Sequence, residues 1–478
     1  MTPADDRPEY LPAWRLIELY RSRTLSPVDV LQAQIGRIER GGDAINAFTH
    51  YHFDQAMKAA KDSEARYRRG DSRPLEGICV AVKDEFDRKG WVVTAGSKLF
   101  KENESEQNHP VIDKLLAAGA ILHVQTTAPE FFLVAVTWSD LWGITRNPWN
   151  GQYTPGGSSG GSAAALSAGM TTLAIGSDMG GSIRIPSALN GLYGGKPSYG
   201  RIASPDPSAL VPHASPGPLA RDAGDLILLQ NVMSGPARGC PSVLRPALHL
   251  PMRDASPKGL RVAVCLDQSW ATLEEDVRKN SLAALRTFEA AGIEVDEIDI
   301  DLCIDDTRLR SATEKALFST AIGAELTDLD PQDTRLTSYA RRFVTLASDM
   351  RPSDAREAAE ETLRIYRIID DAVFERGYHA LITATVATTM IAADFDPTKD
   401  TAWVNGKTVD PYAGWFLTSI FSLLNWMPVV NVPADFCDNG VPCGLQIACR
   451  PYDDVTAAEL AYLYAKAAEP VAFDRVPL

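Results

Sequence analysis

Two glycine turns about twenty residues apart constrain most of what this chain can become. The first reads Gly156-Gly-Ser-Ser-Gly-Gly-Ser-Ala-Ala-Ala165 and the second Gly176-Ser-Asp-Met-Gly-Gly-Ser-Ile-Arg184. Glycine admits positive φ and lets backbone amides approach a ligand closely. Between the turns, residues 162–168 predict a helix of small side chains capped by Gly169, and residues 171–176 predict a buried strand. Small helix residues permit close packing, so both turns can reach one point in space. The pattern anticipates a site made of N–H groups and hydroxyls.

The surrounding chain has ordinary globular composition. Of its 478 residues 45% are hydrophobic, enough for a sizeable core. Acidic residues outnumber basic ones, 62 to 47, and the net charge of −15 argues against nucleic acid or an anionic membrane as the main partner. Seven scattered cysteines (Cys79, Cys240, Cys265, Cys303, Cys437, Cys443 and Cys449) include no Cys-x-x-Cys pair, so neither a zinc site nor a disulfide framework is expected. The six-residue recurrence of the last three reads as strand packing. The N-terminus, Met-Thr-Pro-Ala-Asp-Asp-Arg, lacks an apolar signal core, and no apolar run approaches the roughly 18 residues of a membrane span. A reduced cytoplasm is the expected location.

Taken in order, residues 12–40 predict two helices and residues 53–69 a third, closed by Gly70. Residues 77–84, Gly-Ile-Cys-Val-Ala-Val-Lys-Asp, read as a buried strand with Lys83 at its end. Locally, a lysine that leaves the strand and snorkels to solvent is the expected behaviour; the alternative is a desolvated amine held near the core. A helix over 111–118 and a strand over 121–125 continue a βαβ rhythm, which implies a mostly parallel sheet. After an apolar helix at 223–233, the Pro- and Arg-rich loop 236–258 is the best internal boundary. Strand 260–266, helix 273–291 and strand 293–300 then restart the pattern, and 305–378 is mainly helical. Strands at 381–386 and 428–432 and a helix at 455–468 complete the chain.

Several chemistries compete for the turns. Gly157-Ser-Ser-Gly-Gly161 fits Gly-x-Ser-x-Gly, the nucleophile elbow of α/β-hydrolases, with Ser159 as nucleophile. That reading requires an acid and a histidine downstream; His213, His249 and His379 are available, but none has a suggestive setting. A phosphate cradle lacks the Gly-Lys-Ser/Thr ending of a P-loop. Val80-Ala-Val-Lys83 imitates a kinase lysine strand, but the glycine loop follows it and neither His-Arg-Asp nor Asp-Phe-Gly occurs. A flexible linker does not fit the apolar flanks.

A longer pattern runs from Gly156 through Gly176-Ser-Asp-Met-Gly-Gly-Ser-Ile-Arg-Ile-Pro186 to Gly195-Lys-Pro-Ser-Tyr-Gly-Arg201, and it resembles the amidase signature family. Val82-Lys83-Asp84, Thr94-Ala-Gly-Ser97, Thr145-Arg-Asn-Pro-Trp149, Gly217-Pro-Leu-Ala-Arg221 and Pro442-Cys-Gly-Leu-Gln-Ile447 extend the likeness. It is strong over residues about 10–236 and 420–470 and holds only in outline between them. The resemblance implies an α/β fold with a central mixed β-sheet covered on both sides by helices. It further implies one domain over 1–478, with a family-like core at about 70–235 and 420–470 and a variable, helical substrate side at about 300–420.

The resemblance also implies a Ser–Ser–Lys triad with a cis peptide bond before its first serine. By motif position Ser182 is the nucleophile, Ser158 the bridging serine and Lys83 the base. A lysine can serve as base if burial lowers its pKa from about 10.4, and a serine that donates and accepts at once can relay the proton. The N–H groups of Met179, Gly180, Gly181 and Ser182 are the expected oxyanion hole. Ser159, Asp178 and Arg184 are expected to support the turns. Phe131 and Phe132, with Trp403, Tyr412 and Trp415 from the variable region, are candidate substrate contacts. Met179 stands where the family often has Thr, and Thr383-Ala-Thr385 where relatives often carry proline, so that wall of the site is expected to differ.

The implied reaction is hydrolysis of an amide, anilide, carbamate or urethane through an acyl-enzyme, without metal or cofactor. Expected partners are the small-molecule substrate and a second copy of the chain in a homodimer, with neither nucleic acid nor membrane. The alternatives are a glutaminase component of an amidotransferase, dependent on a partner protein, and the Ser159 elbow with a histidine.

Overall fold

The apolar run before Lys83 forms a strand whose residues, Cys79–Lys83, are all buried, and the sheet grows outward from it. In the computed structural model, which describes residues 7–205, 210, 212–251 and 255–477, fifteen strands follow in chain order. They are β1 Phe48–Tyr51, β2 Cys79–Lys83, β3 Ile121–Thr126, β4 Trp138–Ser139, β5 Gly143–Ile144, β6 Leu173–Asp178, β7 Tyr193–Lys196 and β8 Ser215–Ala220. Then come β9 Arg261–Val264, β10 Glu294–Glu297, β11 Ala380–Ala384, β12 Ala402–Val404, β13 Lys407–Val409, β14 Val429–Phe436 and β15 Pro442–Cys449. Eleven of them make one sheet in the order β1-β3-β2-β6-β8-β7-β14-β15-β11-β9-β10; β4 with β5 and β12 with β13 form small separate hairpins.

The sheet is mixed and flanked by helices. The βαβ rhythm holds for β3-β2-β6 and for β11-β9-β10, whose neighbours pair in parallel. The expectation of a mostly parallel sheet does not hold between them, because β8, β7, β14 and β15 pair antiparallel. Two of those central strands fall in segments not expected to be strands. Tyr193-Gly-Gly-Lys and Ser215-Pro-Gly-Pro-Leu-Ala are poor in β-branched residues, so propensity gives no signal. They are fully buried, and tertiary pairing overrides the propensity. Residues 1–6, which carry the polar N-terminus, and 252–254 of the expected boundary loop lie outside the described residues.

The parallel trio positions the site. In a parallel sheet the carboxyl ends of neighbouring strands share one edge, the usual place for a ligand. Here Lys83 at the end of β2 stands opposite Thr126 of β3, while Val82 pairs with Ile175 of β6. The helix Gly160–Ser167 crosses from β3 to β6, and all eight of its residues are buried. Its alanines join Ala81 and Ala174 in one buried apolar cluster. Gly161 makes that approach possible: a Cβ there would lie 2.6 Å from Thr127 N and 2.7 Å from Thr127 O.

Elsewhere the helices Ala223–Met233, Glu275–Ala290 and Asp454–Ala467 contribute Leu229, Phe288 and Leu460 to the main core. Asp306–Phe318, Ala321–Thr327, Ser338–Asp349 and Pro352–Ile369 make up the helical segment expected between 305 and 378. All seven cysteines are free thiols, and Cys443 and Cys449 pack within β15. Among the described residues no helix is long and apolar enough to cross a membrane.

Gly161→Ala should cost about 3 kcal/mol, because the contact it creates is with backbone that cannot turn aside. Urea unfolding reads this directly; stability equal to the parent would mean that the helix does not dock this closely.

Candidate active site

Lys83 does not snorkel. Its side chain is fully buried, and Nζ donates to Ser158 Oγ at 2.8 Å and to Ser177 Oγ at 2.9 Å. The Glu85 carboxylate lies 2.9 Å away. The Phe132 ring covers the amine, its centroid 4.5 Å from Nζ. Burial is the largest influence on this lysine and lowers its pKa, against the opposing charges of Glu85 and Asp178. Phe131 and Phe132 both adopt left-handed φ values, 52° and 62°, costing roughly 1–2 kcal/mol each. That backbone turn sets Phe132 over the amine.

The first glycine turn brings Ser158, fully buried, to Lys83, and the Gly157–Ser158 peptide bond is cis. Ser159 follows at the foot of the helix Gly160–Ser167; its N–H donates to the Ser182 carbonyl at 3.1 Å, which ties the first turn to the second. Its hydroxyl donates to the Ser177 carbonyl at 3.4 Å.

Asp178 organises the second turn. Its carboxylate accepts from the N–H groups of Gly181 (2.9 Å), Ile183 (3.2 Å) and Arg184 (3.3 Å), and from Arg184 Nε and Nη2 at 2.9 and 2.8 Å. Burial raises the Asp178 pKa, but the Arg184 charge and these hydrogen bonds together hold it below the usual carboxylate range. Arg184, equally buried, spends its other donors on Thr418 O, Gln446 Oε1 and Ser422 Oγ. The ion pair is therefore enclosed and saturated. Gly181 has φ 123°, and a Cβ there would sit 2.1 Å from Thr418 Oγ1.

This arrangement narrows the expected oxyanion hole. The Gly181 N–H is committed to Asp178, which removes it from the set. The N–H groups of Met179, Gly180 and Ser182 form no hydrogen bond with a described residue. Donors held in place before charge develops cost no reorganisation during reaction. Ser182, Gly180, Met179 and Gly157 all face a cavity of about 110 Å³. Its walls are Phe132, Leu133, Val134, Val136, Ile185, Leu317, Phe318, Phe343, Phe395, Tyr412, Trp415 and Phe416. Arg310 and Glu314 add polarity, but Arg310 is paired with Asp410 at 2.6 Å and Glu314 with Arg342 at 2.6 Å.

Among the expected substrate contacts, Phe132, Tyr412 and Trp415 line this cavity. Phe131 does not; its ring packs edge-on against Phe100, 5.9 Å between centroids. Trp403 sits on the β12–β13 hairpin, 57% exposed, and is also no part of the wall. Thr383 is not a wall either: its hydroxyl accepts from Gln446 Nε2 at 2.9 Å, beside Arg184. The elbow reading fails on geometry. His379 Nδ1 accepts from Arg261 N–H, His213 lies against the Ser422 carbonyl and His249 is exposed, so none reaches Ser159.

Ser177 and Glu85 escaped the sequence reading. Glu85 left no strand signal, since it lies in the turn just beyond the end of β2 at Lys83, where the alternation of faces stops. Phe318 and Phe343 carried none, since an aromatic on a long helix reads as core. Among the described residues no group of three or more His, Cys, Asp or Glu side chains gathers to hold a metal.

Asp178→Ala would leave Arg184 buried without its counter-charge, and should cost about 3–5 kcal/mol in urea unfolding. A loss under about 1 kcal/mol, the scale of a surface pair, would show that the pair is solvated.

Residues 29–457 match the profile of the Amidase family. One component of the glutamyl-tRNA(Gln) amidotransferase of Cupriavidus pinatubonensis is 31% identical, over 95% of this chain and 96% of its own. Its counterpart from Symbiobacterium thermophilum is 30% identical over equal shares. Among solved structures, a bacterial aryl acylamidase of the amidase signature enzymes superposes with a TM-score of 0.88 at 24% identity, covering 96% of each chain. A substrate complex of 6-aminohexanoate cyclic dimer hydrolase reaches 0.83 at 24% identity, over 98% of this chain and 99% of that one. With its fold, its paired glycine turns and a profile match over most of its length, this chain belongs to the amidase signature family.

Proposed function

We propose that the protein is a stand-alone hydrolase that cleaves carboxamides, aryl anilides and related carbamates or urethanes bearing an apolar group, through an acyl-enzyme on Ser182. The observation that carries this reading is the shared cavity: Ser182 and the open amides of Met179, Gly180 and Ser182 face an aromatic-lined space, while Lys83 and Ser158 stand hydrogen-bonded behind Gly157.

In this reading Ser182 Oγ attacks the carbonyl carbon. Its proton passes to Ser158 Oγ, and the Ser158 proton passes to the Lys83 amine. The oxyanion meets the three open amides, each worth about 3–4 kcal/mol by analogy with the loss of one such donor. Collapse of the intermediate returns a proton through Ser158 to the departing amine, and water then releases the acid and frees Ser182. Ser159, Asp178 and Arg184 hold the two turns together.

The cavity supports the substrate class. Its volume of about 110 Å³ is below the roughly 150 Å³ that accommodates benzene, so its apolar, aromatic walls rather than its size favour an apolar group. A free glutamine side chain would find its polar groups facing phenylalanines and an arginine, Arg310, that is already paired with Asp410. The named relatives nevertheless keep a second reading in view, glutamine deamidation within a complex. Purified protein that cleaves a nitroanilide alone, and leaves glutamine intact, supports the first; glutaminase activity that appears only with partner proteins supports the second.

Ser182→Ala should lower anilide kcat/KM by about 10⁴-fold or more without unfolding the protein, and Lys83→Ala should be nearly as damaging. In the parent kcat/KM should rise with pH through an apparent pKa below the ordinary lysine value of 10.5, since burial favours the amine that acts as base. Near-parental turnover in Ser182→Ala would overturn the assignment. Replacing His213, His249 or His379 should cost little, and a large loss at one of them would restore Ser159 as nucleophile.

A further inference from the structure

A buried lysine that cycles between ammonium and amine must exchange protons with water, and Lys83 is shielded from it. Ser158, beside it, is fully buried as well, and Phe132 closes another side. Its two remaining polar neighbours, Ser177 and Glu85, are only partly buried, and they lead to the same carboxylate. Glu85 Oε2 lies 2.9 Å from Lys83 Nζ and accepts the Ser177 hydroxyl at 2.5 Å. Ser177 Oγ in turn accepts from Nζ at 2.9 Å. The Glu85 side chain is 26% exposed against 0% for Lys83.

The other carboxylates near Lys83 are engaged elsewhere. Asp178, at the end of β6, is neutralised by Arg184. Asp84, the next residue along the chain, is turned to the N–H and hydroxyl of Thr94. Thr126, opposite Lys83 on β3, carries no charge. Glu85 is left to pair with the amine.

We propose that Glu85 is a positioning residue for the reaction: its carboxylate, joined to Lys83 directly and through Ser177, aims the amine at Ser158 and carries its proton to and from solvent. The inference rests on the reading of Lys83 as the base that serves Ser182. In the proton step the Nζ–H bond breaks and an Oε2–H bond forms, so ammonium and carboxylate become amine and carboxylic acid; water then takes the proton and restores the carboxylate. An adjacent negative charge also favours the ammonium, so Glu85 sets the pH at which the amine becomes available.

The test compares full-length parent, Glu85→Gln and Glu85→Asp in two assays across pH: labelling of Ser182 by a fluorophosphonate, read as intact mass and mapped to its peptide, and nitroanilide hydrolysis. Glu85→Gln keeps the shape and removes the charge. Its acid limb should move to lower pH by about one unit in both assays, with KM unchanged, while Glu85→Asp keeps the parental limb. If Glu85→Gln folds poorly, Glu85→Ala replaces it in the same comparison. A limb that stays in place without the carboxylate, or that moves equally in Glu85→Asp, overturns the proposal. Failure of the parent to label at Ser182 at any pH would instead overturn the nucleophile assignment, so the two failures are distinct.

Discussion

The buried contact between Asp178 and Arg184 is the interaction on which the rest of the site depends. One carboxylate accepts from three backbone amides of the same turn and from a guanidinium whose other donors reach Thr418, Gln446 and Ser422. Those distant partners lie more than two hundred residues away along the chain. The second glycine turn is thereby fastened to the C-terminal part of the sheet, and the Ser159 amide fastens the first turn to the second through the Ser182 carbonyl. Such a pair adds little net stability over an apolar replacement of equal shape. In this protein it holds in place the turn whose residues Met179, Gly180 and Ser182 line the cavity.

Lys83 occupies the opposite electrostatic situation. Asp178 is a buried charge with a complete set of partners; Lys83 is a buried amine with one nearby carboxylate and two hydroxyls. Burial works against the charged form in both, but only at Asp178 is the penalty overcome by hydrogen bonds and a full counter-charge. A buried amine whose charge is only partly compensated suits proton transfer, and a fully paired carboxylate suits scaffolding. The two roles follow from how many partners each side chain finds.

Much of this was legible from residue order alone, and the parts that were not have physical causes. The two turns could be located because glycine and small residues leave a distinctive trace, whereas Lys83, Ser158 and Ser182 were singled out only by the resemblance of the longer pattern. Strands β7 and β8 left none, since their Gly- and Pro-rich sequences are held by neighbours from distant parts of the chain. Local reading also misjudged Lys83, because a strand end looks exposed until Ser158, Ser177 and Phe132 are seen to close around it. Phe131 and Trp403 are large aromatics near the expected pocket, but backbone direction decides which rings face it: adjacent Phe131 and Phe132 diverge, and Trp403 projects from a hairpin. That the Gly181 N–H donates to Asp178 could not be foreseen, as it depends on where Asp178 Oδ1 comes to rest.

The proposed mechanism turns on which serine carries the acyl group. Acid quenching during steady-state turnover of an activated ester, followed by peptide mapping, locates it directly. With Ser182 as nucleophile, an acyl mass appears on that residue and is absent when Lys83 is replaced. An acyl group on Ser159, or turnover with no covalent species on either glycine turn, would contradict the assignment.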